Sequence, residues 1–284
     1  MDFTSAKELL QLCGQHNFAI SGVMRRREFD LSGVDLDAME QRMRRVLKIM
    51  REAAHQPLEN PQKSMGGLIG GEARKLLVWR ETGMSICGAV LNRAVTYAMA
   101  VMEVNASMGL IVAAPTAGSA GVVPGLLLSL AEVYDFADEK LLDALFNAGA
   151  VGYLAMKNAT VAGAVGGCQA EVGVAAAMAA SAAVELMGGA PAQSLDAASI
   201  VLMNMLGLVC DPVGGLVEYP CQNRNAAGVA NALAAAEMSL SGIKQHISFD
   251  EMLSIMYQVG KSLPAELRET ARGGCAACPG LCQN

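Results

Sequence analysis

Apolar residues recur at helical spacing over most of this chain. Between Asp35 and His55, Met39, Met43, Val46 and Met50 share one face, with Arg42, Arg44, Arg45 and Lys48 mostly off it, the pattern of an amphipathic helix. Comparable patterns predict helices over 4–15, 83–110, 124–134, 138–157, 171–188, 192–208 and 225–241. A last helix opens on Ser248-Phe249-Asp250-Glu251, a capping box ahead of Met252, Ile255 and Met256. Alternating β-branched runs are scarce, and no Asn-Gly or Asp-Gly turn joins two of them. The expected fold is all-α, a single domain with a helical segment 1–60, a core 61–271 and a cysteine-bearing tail 272–284. No compositional break or internal repeat divides it.

Composition sharpens this picture. The 284 residues are 53% hydrophobic but only 4% aromatic, and the apolar mass comes from Ala, Gly, Met, Leu and Val. That favours closely packed helices over an aromatic-rich sandwich. With a net charge of −6 and no basic stripe, a nucleic-acid partner is not expected. The densest basic cluster, Arg25-Arg26-Arg27, reads as a solvated turn or helix end. Mean hydropathy is +0.34, and the uncharged stretch Val104–Ala131 is long enough to span a bilayer. Asn105, Pro115, Pro124 and several glycines interrupt it, so it predicts helix, loop, helix, and no membrane association is expected. The N-terminus MDFTSAKELLQLC lacks a basic region followed by an apolar core. A cytoplasmic protein with its eight cysteines as reduced thiols or metal ligands is therefore expected.

The connecting segments carry the candidate chemistry. QPLENPQKSMGGLIGGEARK (56–75), APTAGSAGVVPG (114–125), NATVAGAVGGCQAEVG (158–173) and VCDPVGGLVEYPCQNRNAAG (209–228) set small polar groups among Gly and Pro. His16, His55 and His246 are scattered, without the paired spacing of a zinc hydrolase. No G-x-S-x-G elbow exists, and the 66–71 glycines are not followed by the Lys-Ser/Thr of a nucleotide loop. Lys63 is the one lysine placed for a pyridoxal Schiff base. Cys13 and Cys87 lie in apolar helical patterns and read as buried structural thiols. Cys168, Cys210 and Cys221 sit in the loops, at spacing C-x41-C-x10-C. Loop thiolates suit an iron–sulfur cluster, although distant cysteines also serve as core residues, and spacing alone leaves both readings open.

A wider likeness bears on that choice. GGCQAEVG, LGLVCDPVGGLVEYPCQNRNA and AAPTAGSAGVVPG, with EVNASMG, KNATVAGAVGG and RETARGG, resemble the blocks of the iron–sulfur-dependent L-serine dehydratases. The resemblance covers essentially the whole chain and fits the separately encoded α (catalytic) subunit. It implies a mainly helical catalytic domain whose Gly/Pro-rich loops converge on a buried 4Fe–4S cluster held by Cys168, Cys210 and Cys221. One iron is then left open as a Lewis acid for the β-hydroxyl of L-serine. It further implies conversion of L-serine to pyruvate and ammonia without pyridoxal phosphate, and a separate β (regulatory) subunit as partner in a heterodimer or higher oligomer. Arg25–Arg27 are candidates to face that subunit.

Within the matching blocks, Ser64, Asn105, Thr116, Ser119, Asn158 and Arg224 are candidates to hold substrate. Each has a local alternative: Ser64 and Asn158 as helix caps, Thr116 and Ser119 as turn residues after Pro115. Arg224 suits a carboxylate, but equally an anionic cluster or Glu218. Glu171 is the candidate base if burial raises its pKa, or else a helix-start charge, with Lys63 as the alternative base. Competing readings are a redox iron–sulfur protein or a structural zinc module on Cys275, Cys278 and Cys282, and the same fold acting on L-threonine or L-cysteine. For Cys282 the resemblance suggests a tail thiol that occupies the open iron until substrate displaces it.

Overall fold

The computed structural model describes residues 1–280, and among these there is no β-strand. Three helices, α1 (Ala6–His16), α2 (Ile20–Ser32) and α3 (Leu36–Glu59), form the N-terminal layer. Next come α4 (Glu72–Glu81), α5 (Gly88–Ala106), α6 (Val122–Tyr134), α7 (Asp138–Asn158) and the single turn α8 (Gly163–Gly166). The chain continues through α9 (Val174–Leu186), α10 (Pro191–Asn204), α11 (Cys221–Leu240) and α12 (Phe249–Ser262).

The centre is α9, VAAAMAASAAVEL, buried along its length except at Glu185. A helix apolar all round has no solvent face, and α6, α7, α10 and α11 surround it. Small side chains let these axes approach closely. At the crossing of α5 and α6, a Cβ on Gly121 would stand 2.3 Å from the Ala98 carbonyl oxygen, and one on Gly125 2.8 Å from that of Ala94. Because the obstacle is backbone, Gly121→Ala is expected to force the two helices apart at a cost of about 3 kcal/mol. Thermal unfolding should show this as a melting point lower by on the order of 6 °C, whereas an unchanged melting point would mean the crossing yields freely.

The apolar stretch singled out in the sequence folds as expected into helix, loop and helix, and residues 117–134 are 78% buried within the protein. The Ser248 box also forms, with the Glu251 carboxylate accepting from the Ser248 amide at 2.9 Å. Other expectations need correction. Arg25–Arg27 are neither a solvated turn nor a helix end, since they lie inside α2. Arg27 is buried, its guanidinium bonded to Asp2 at 2.7 Å and 3.9 Å from the Tyr153 ring centroid, while Arg25 pairs with Asp143. Arg26 pairs with Asp30 at 2.9 Å, so intramolecular partners engage all three arginines. Cys87, read as a buried thiol, is exposed at the residue preceding α5. α3 runs on through Pro57 to Glu59, because proline in the last turn of a helix buried at Pro57 and Leu58 keeps its packing.

Candidate active site

Three of the Gly/Pro loops, 114–125, 158–173 and 209–228, meet around Cys168, Glu171 and Cys210, and the 56–75 loop is tied to the last of them through Glu218. Residues Gln169–Gly173, at the head of α9, are wound as a π-helical turn, a widening frequent at functional sites. It follows Gly167, whose φ of +76° and close approach to the Leu208 carbonyl, 2.7 Å from a would-be Cβ, admit only glycine. Cys168 and Glu171 therefore face the 208–213 loop, which brings Cys210. One ligand atom from each of Cys168, Glu171 and Cys210 lies within 4.8 Å of the others. A Cβ on Gly163 would come within 2.5 Å of the Glu171 carboxylate and 3.1 Å of the Cys210 sulfur, and one on Gly118 within 3.2 Å of Glu171. Glycine keeps both walls clear of side chains.

Cys221 opens α11 directly after the cis Tyr219–Pro220 peptide and is also buried. Burial pushes its thiol up to about 12, and the charges of Cys168 and Glu171 push in the same direction. The other two thiols split. A hydrogen bond from Cys210 draws the Cys168 thiol below its ordinary range, with the Arg224 charge assisting against burial, while Cys210 is held high by that same bond and by burial. Cys168 is thus the first of the pair to ionise. Arg224 Nη1 stands 3.6 Å from its sulfur, donates to the Val209 carbonyl at 2.8 Å, and forms an ion pair with buried Asp211 at 2.6 Å.

Glu171 is held above the usual carboxylate range by burial first; a hydrogen bond from Thr116 opposes this and the Glu269 charge adds to it. Thr116 Oγ1 donates to Glu171 Oε1 at 2.9 Å and lies 3.1 Å from Ser119 Oγ. Asn105 reaches the same loop, donating to the Ala117 carbonyl at 3.2 Å. The structure thus gathers Thr116, Ser119, Arg224 and Glu171 about the thiols, with Asn105 behind them.

Ser64 and Asn158 have other partners. Ser64 caps no helix: its hydroxyl donates to Glu218 at 2.6 Å. Asn158, the last residue of α7, donates to the Thr4 carbonyl at 2.8 Å. Lys63 is exposed. Cys275 is partly buried and Cys278 exposed, whereas Cys282 lies outside the described residues.

Two buried carboxylates take roles the sequence reading did not give them: Arg224 pairs with Asp211 and not with Glu218, which binds the 64–68 loop. Glu218 accepts from Ser64 Oγ, from the Gly66 amide at 2.5 Å and from the Leu68 amide at 3.1 Å. This pins the 64–69 loop to the segment leading into Cys221. Glu218→Ala would leave those donors without their acceptor, a loss of about 2–3 kcal/mol. Amide exchange at Gly66 and Leu68 should accelerate while that at Val184 in α9 stays slow; equal protection in both proteins would remove Glu218 from this role. The second, Asp211, joins Arg224 to the Cys275 amide, 2.6 Å away. Both lie within quoted loop blocks, but acidic residues in such loops ordinarily face solvent. What draws them inward is partners beyond local pattern range: Arg224, 13 residues on, and the Cys275 amide for Asp211, and the 64–68 loop for Glu218.

Fold and site together define an all-helical protein with a buried thiol–carboxylate centre of metal-ligating type. The sequence family described as "Serine dehydratase alpha chain" matches residues 15–276, and the chain belongs to that family. It is 47% identical over 277 residues to "Probable L-serine dehydratase, alpha chain" of Bacillus subtilis (strain 168), covering 98% of this chain and 92% of the relative. It is 40% identical over 272 residues to "L-serine dehydratase, alpha chain" of Peptoniphilus asaccharolyticus, covering 96% and 93%. "L-serine dehydratase TdcG" of Escherichia coli (strain K12) is 37% identical; the alignment takes in 97% of this chain but 62% of that protein.

Proposed function

We propose that this chain is the catalytic subunit of an iron–sulfur-dependent L-serine dehydratase, which converts L-serine to pyruvate and ammonia. The observation that carries the reading is the grouping of Cys168, Glu171 and Cys210 within 4.8 Å, in a family whose members are named as L-serine dehydratase alpha chains. The residues fit a cluster. Cys168, Cys210 and Cys221 are 2%, 3% and 6% exposed, Cys168 from the 158–173 segment and the other two from the 209–228 segment, and glycines hold the walls back. Metal binding releases the protons that Cys210 and Cys221 retain. A 4Fe–4S cluster on three thiolates supplies, when bound, an iron with an open position that stabilises negative charge on a departing hydroxyl oxygen.

The chain's own groups do the rest. Glu171, its carboxyl raised by burial, accepts the α-proton of L-serine as the carbon–oxygen bond breaks. Thr116 fixes Oε1, while Oε2 accepts from the Cys210 thiol at 3.6 Å and takes the substrate proton once Cys210 has given up its own on binding metal. Arg224 balances thiolate charge at Cys168 and is oriented by Asp211 and the Val209 carbonyl. Aminoacrylate and water leave; aminoacrylate tautomerises to the imine, which hydrolyses to pyruvate and ammonia. Pyridoxal phosphate has no part in this scheme.

The α-chain naming of the relatives supports a separate β chain as partner. Anaerobically prepared protein, alone and with such a β chain, should form pyruvate from L-serine faster than from L-threonine or L-cysteine. Cluster-free protein should form none, even with pyridoxal phosphate supplied. Turnover by the cluster-free sample would overturn the reading.

A further inference from the structure

After α12 the chain does not leave the protein but turns back along the 208–213 loop. The Cys210 amide donates to the Leu267 carbonyl at 2.8 Å, and the Glu269 amide returns a bond to the Cys210 carbonyl at 2.6 Å, making a short parallel bridge between Cys210 and Arg268. Six residues on, the Cys275 amide donates to Asp211 Oδ2 at 2.6 Å. Between these two attachments the backbone is held in an unfavourable shape. Glu269 and Ala271 adopt φ of +61° and +54°, the left-handed region that non-glycine residues avoid. Gly274 lies there too, at +60°, and a Cβ on it would stand 2.1 Å from Asp211 Oδ2, so only glycine lets the backbone reach that carboxylate. The other Asp211 oxygen is ion-paired with Arg224, which itself stands against the Cys168 sulfur. Asp211 is 2% exposed, and a buried carboxylate in a rigid loop meets both partners only in one orientation.

We propose that Asp211 is a positioning residue that makes docking of the 267–275 strap and the placement of Arg224 against Cys168 a single event. The strap is a clip: strain at Glu269 and Ala271 favours its release, and the attachments at Cys210 and Asp211 hold it closed. Releasing it frees one oxygen of Asp211, which then turns and loosens Arg224. The consequence for the metal centre rests on the iron–sulfur reading above, whereas the clip itself does not.

Two substitutions separate the two arms. Asp211→Asn keeps an oxygen for the Cys275 amide but removes the ion pair with Arg224. Gly274→Ala keeps both charged partners of that ion pair but drives the strap off Asp211. Trypsin cleavage after exposed Arg272 in the full chain, followed by mass spectrometry, reads strap opening. The visible and paramagnetic spectra of the anaerobically prepared holo-protein read the Cys168 side. Each variant is expected to raise the cleavage rate about tenfold, since cleavage follows the open population. Each should also shift the cluster spectrum, and the double variant should be no more open than the more open single one. A merely structural strap would leave the spectrum unmoved by Gly274→Ala. That result, additive cleavage rates, or protection unchanged in Asp211→Asn would overturn the proposal. Should Asp211→Asn fail to fold, Gly274→Ala, on an exposed segment, decides alone through its two readouts. A wild-type chain that binds no cluster would remove the functional reading and leave the cleavage test standing.

Discussion

Cys168→Ser is expected to abolish iron binding and turnover together. Cys168 is the thiol whose ionisation the site favours, through the hydrogen bond from Cys210 and the nearby Arg224 charge. A serine hydroxyl in that position stays protonated at neutral pH and is a poor ligand for iron. Turnover should fall at least about a thousandfold, a loss of roughly 4 kcal/mol of transition-state stabilisation or more. Iron and sulfide analysis and the visible absorbance of anaerobic protein provide the check beside the pyruvate assay. Cys87→Ser is the control, since that thiol is exposed and outside the Cys168, Glu171, Cys210 group; it should leave iron content and turnover unchanged. If Cys168→Ser retains full iron content, Cys168 is not a ligand and the metal centre must be rebuilt on other residues.

The second large effect belongs to Glu171→Gln. The amide preserves shape and can accept from Thr116, but it cannot take a proton. Turnover should drop by about a hundredfold to ten-thousandfold with the cluster spectrum intact. Loss of the cluster with the activity would assign Glu171 to holding the site together. The pH dependence follows from the raised pKa. A base with its pKa above 4.5 is inactive until deprotonated, so the rate of the wild-type enzyme should climb with pH through that raised value. The same shift acts on the stability of cluster-free protein. The folded state holds the Glu171 proton more tightly than the unfolded state does. The stabilisation this gives is fully present below the unfolded pKa and is lost as pH rises through the folded one. Glutamine never has to ionise in the buried site, so cluster-free Glu171→Gln should be at least as stable as wild type at neutral pH. A lower melting point for the variant there would contradict the burial argument.

How much of this was written in the sequence depends on whether a residue's partners are local. The helices came through wherever apolar spacing and caps agreed, as from Asp35 onward and at Ser248, because both signals act within a few residues. α2 did not, because its buried face includes Ser21 and Arg27, and a buried arginine looks polar until Asp2 and Tyr153 are brought to it. Cys168, Glu171 and Cys210 were legible through their blocks and do come together, whereas Cys221 is buried but not part of that group. The three cysteines nearest one another in sequence, by contrast, included two, Cys275 and Cys278, that do not join the Cys168, Glu171, Cys210 group. Ser64 was legible as a polar group in a glycine loop, but not its engagement by Glu218, 154 residues away. Gly274 was legible only as part of RGG; its reason is the Asp211 carboxylate, and no local pattern points to that.

The π-helical turn at Gln169–Gly173 has a consequence for how this protein can change. It adds slack between Cys168 and α9, so the angle at which the site faces its loops is not dictated by the angle at which Ala176, Ala180 and Val184 face the bundle. Losing one residue from that turn would convert it to an ordinary α-turn and swing everything before it by about 100° relative to the core helix. The core would keep its packing while Cys168 turned away from Cys210. The length of these five residues therefore sets where the reacting groups point, independently of the alanine-lined interior of the bundle.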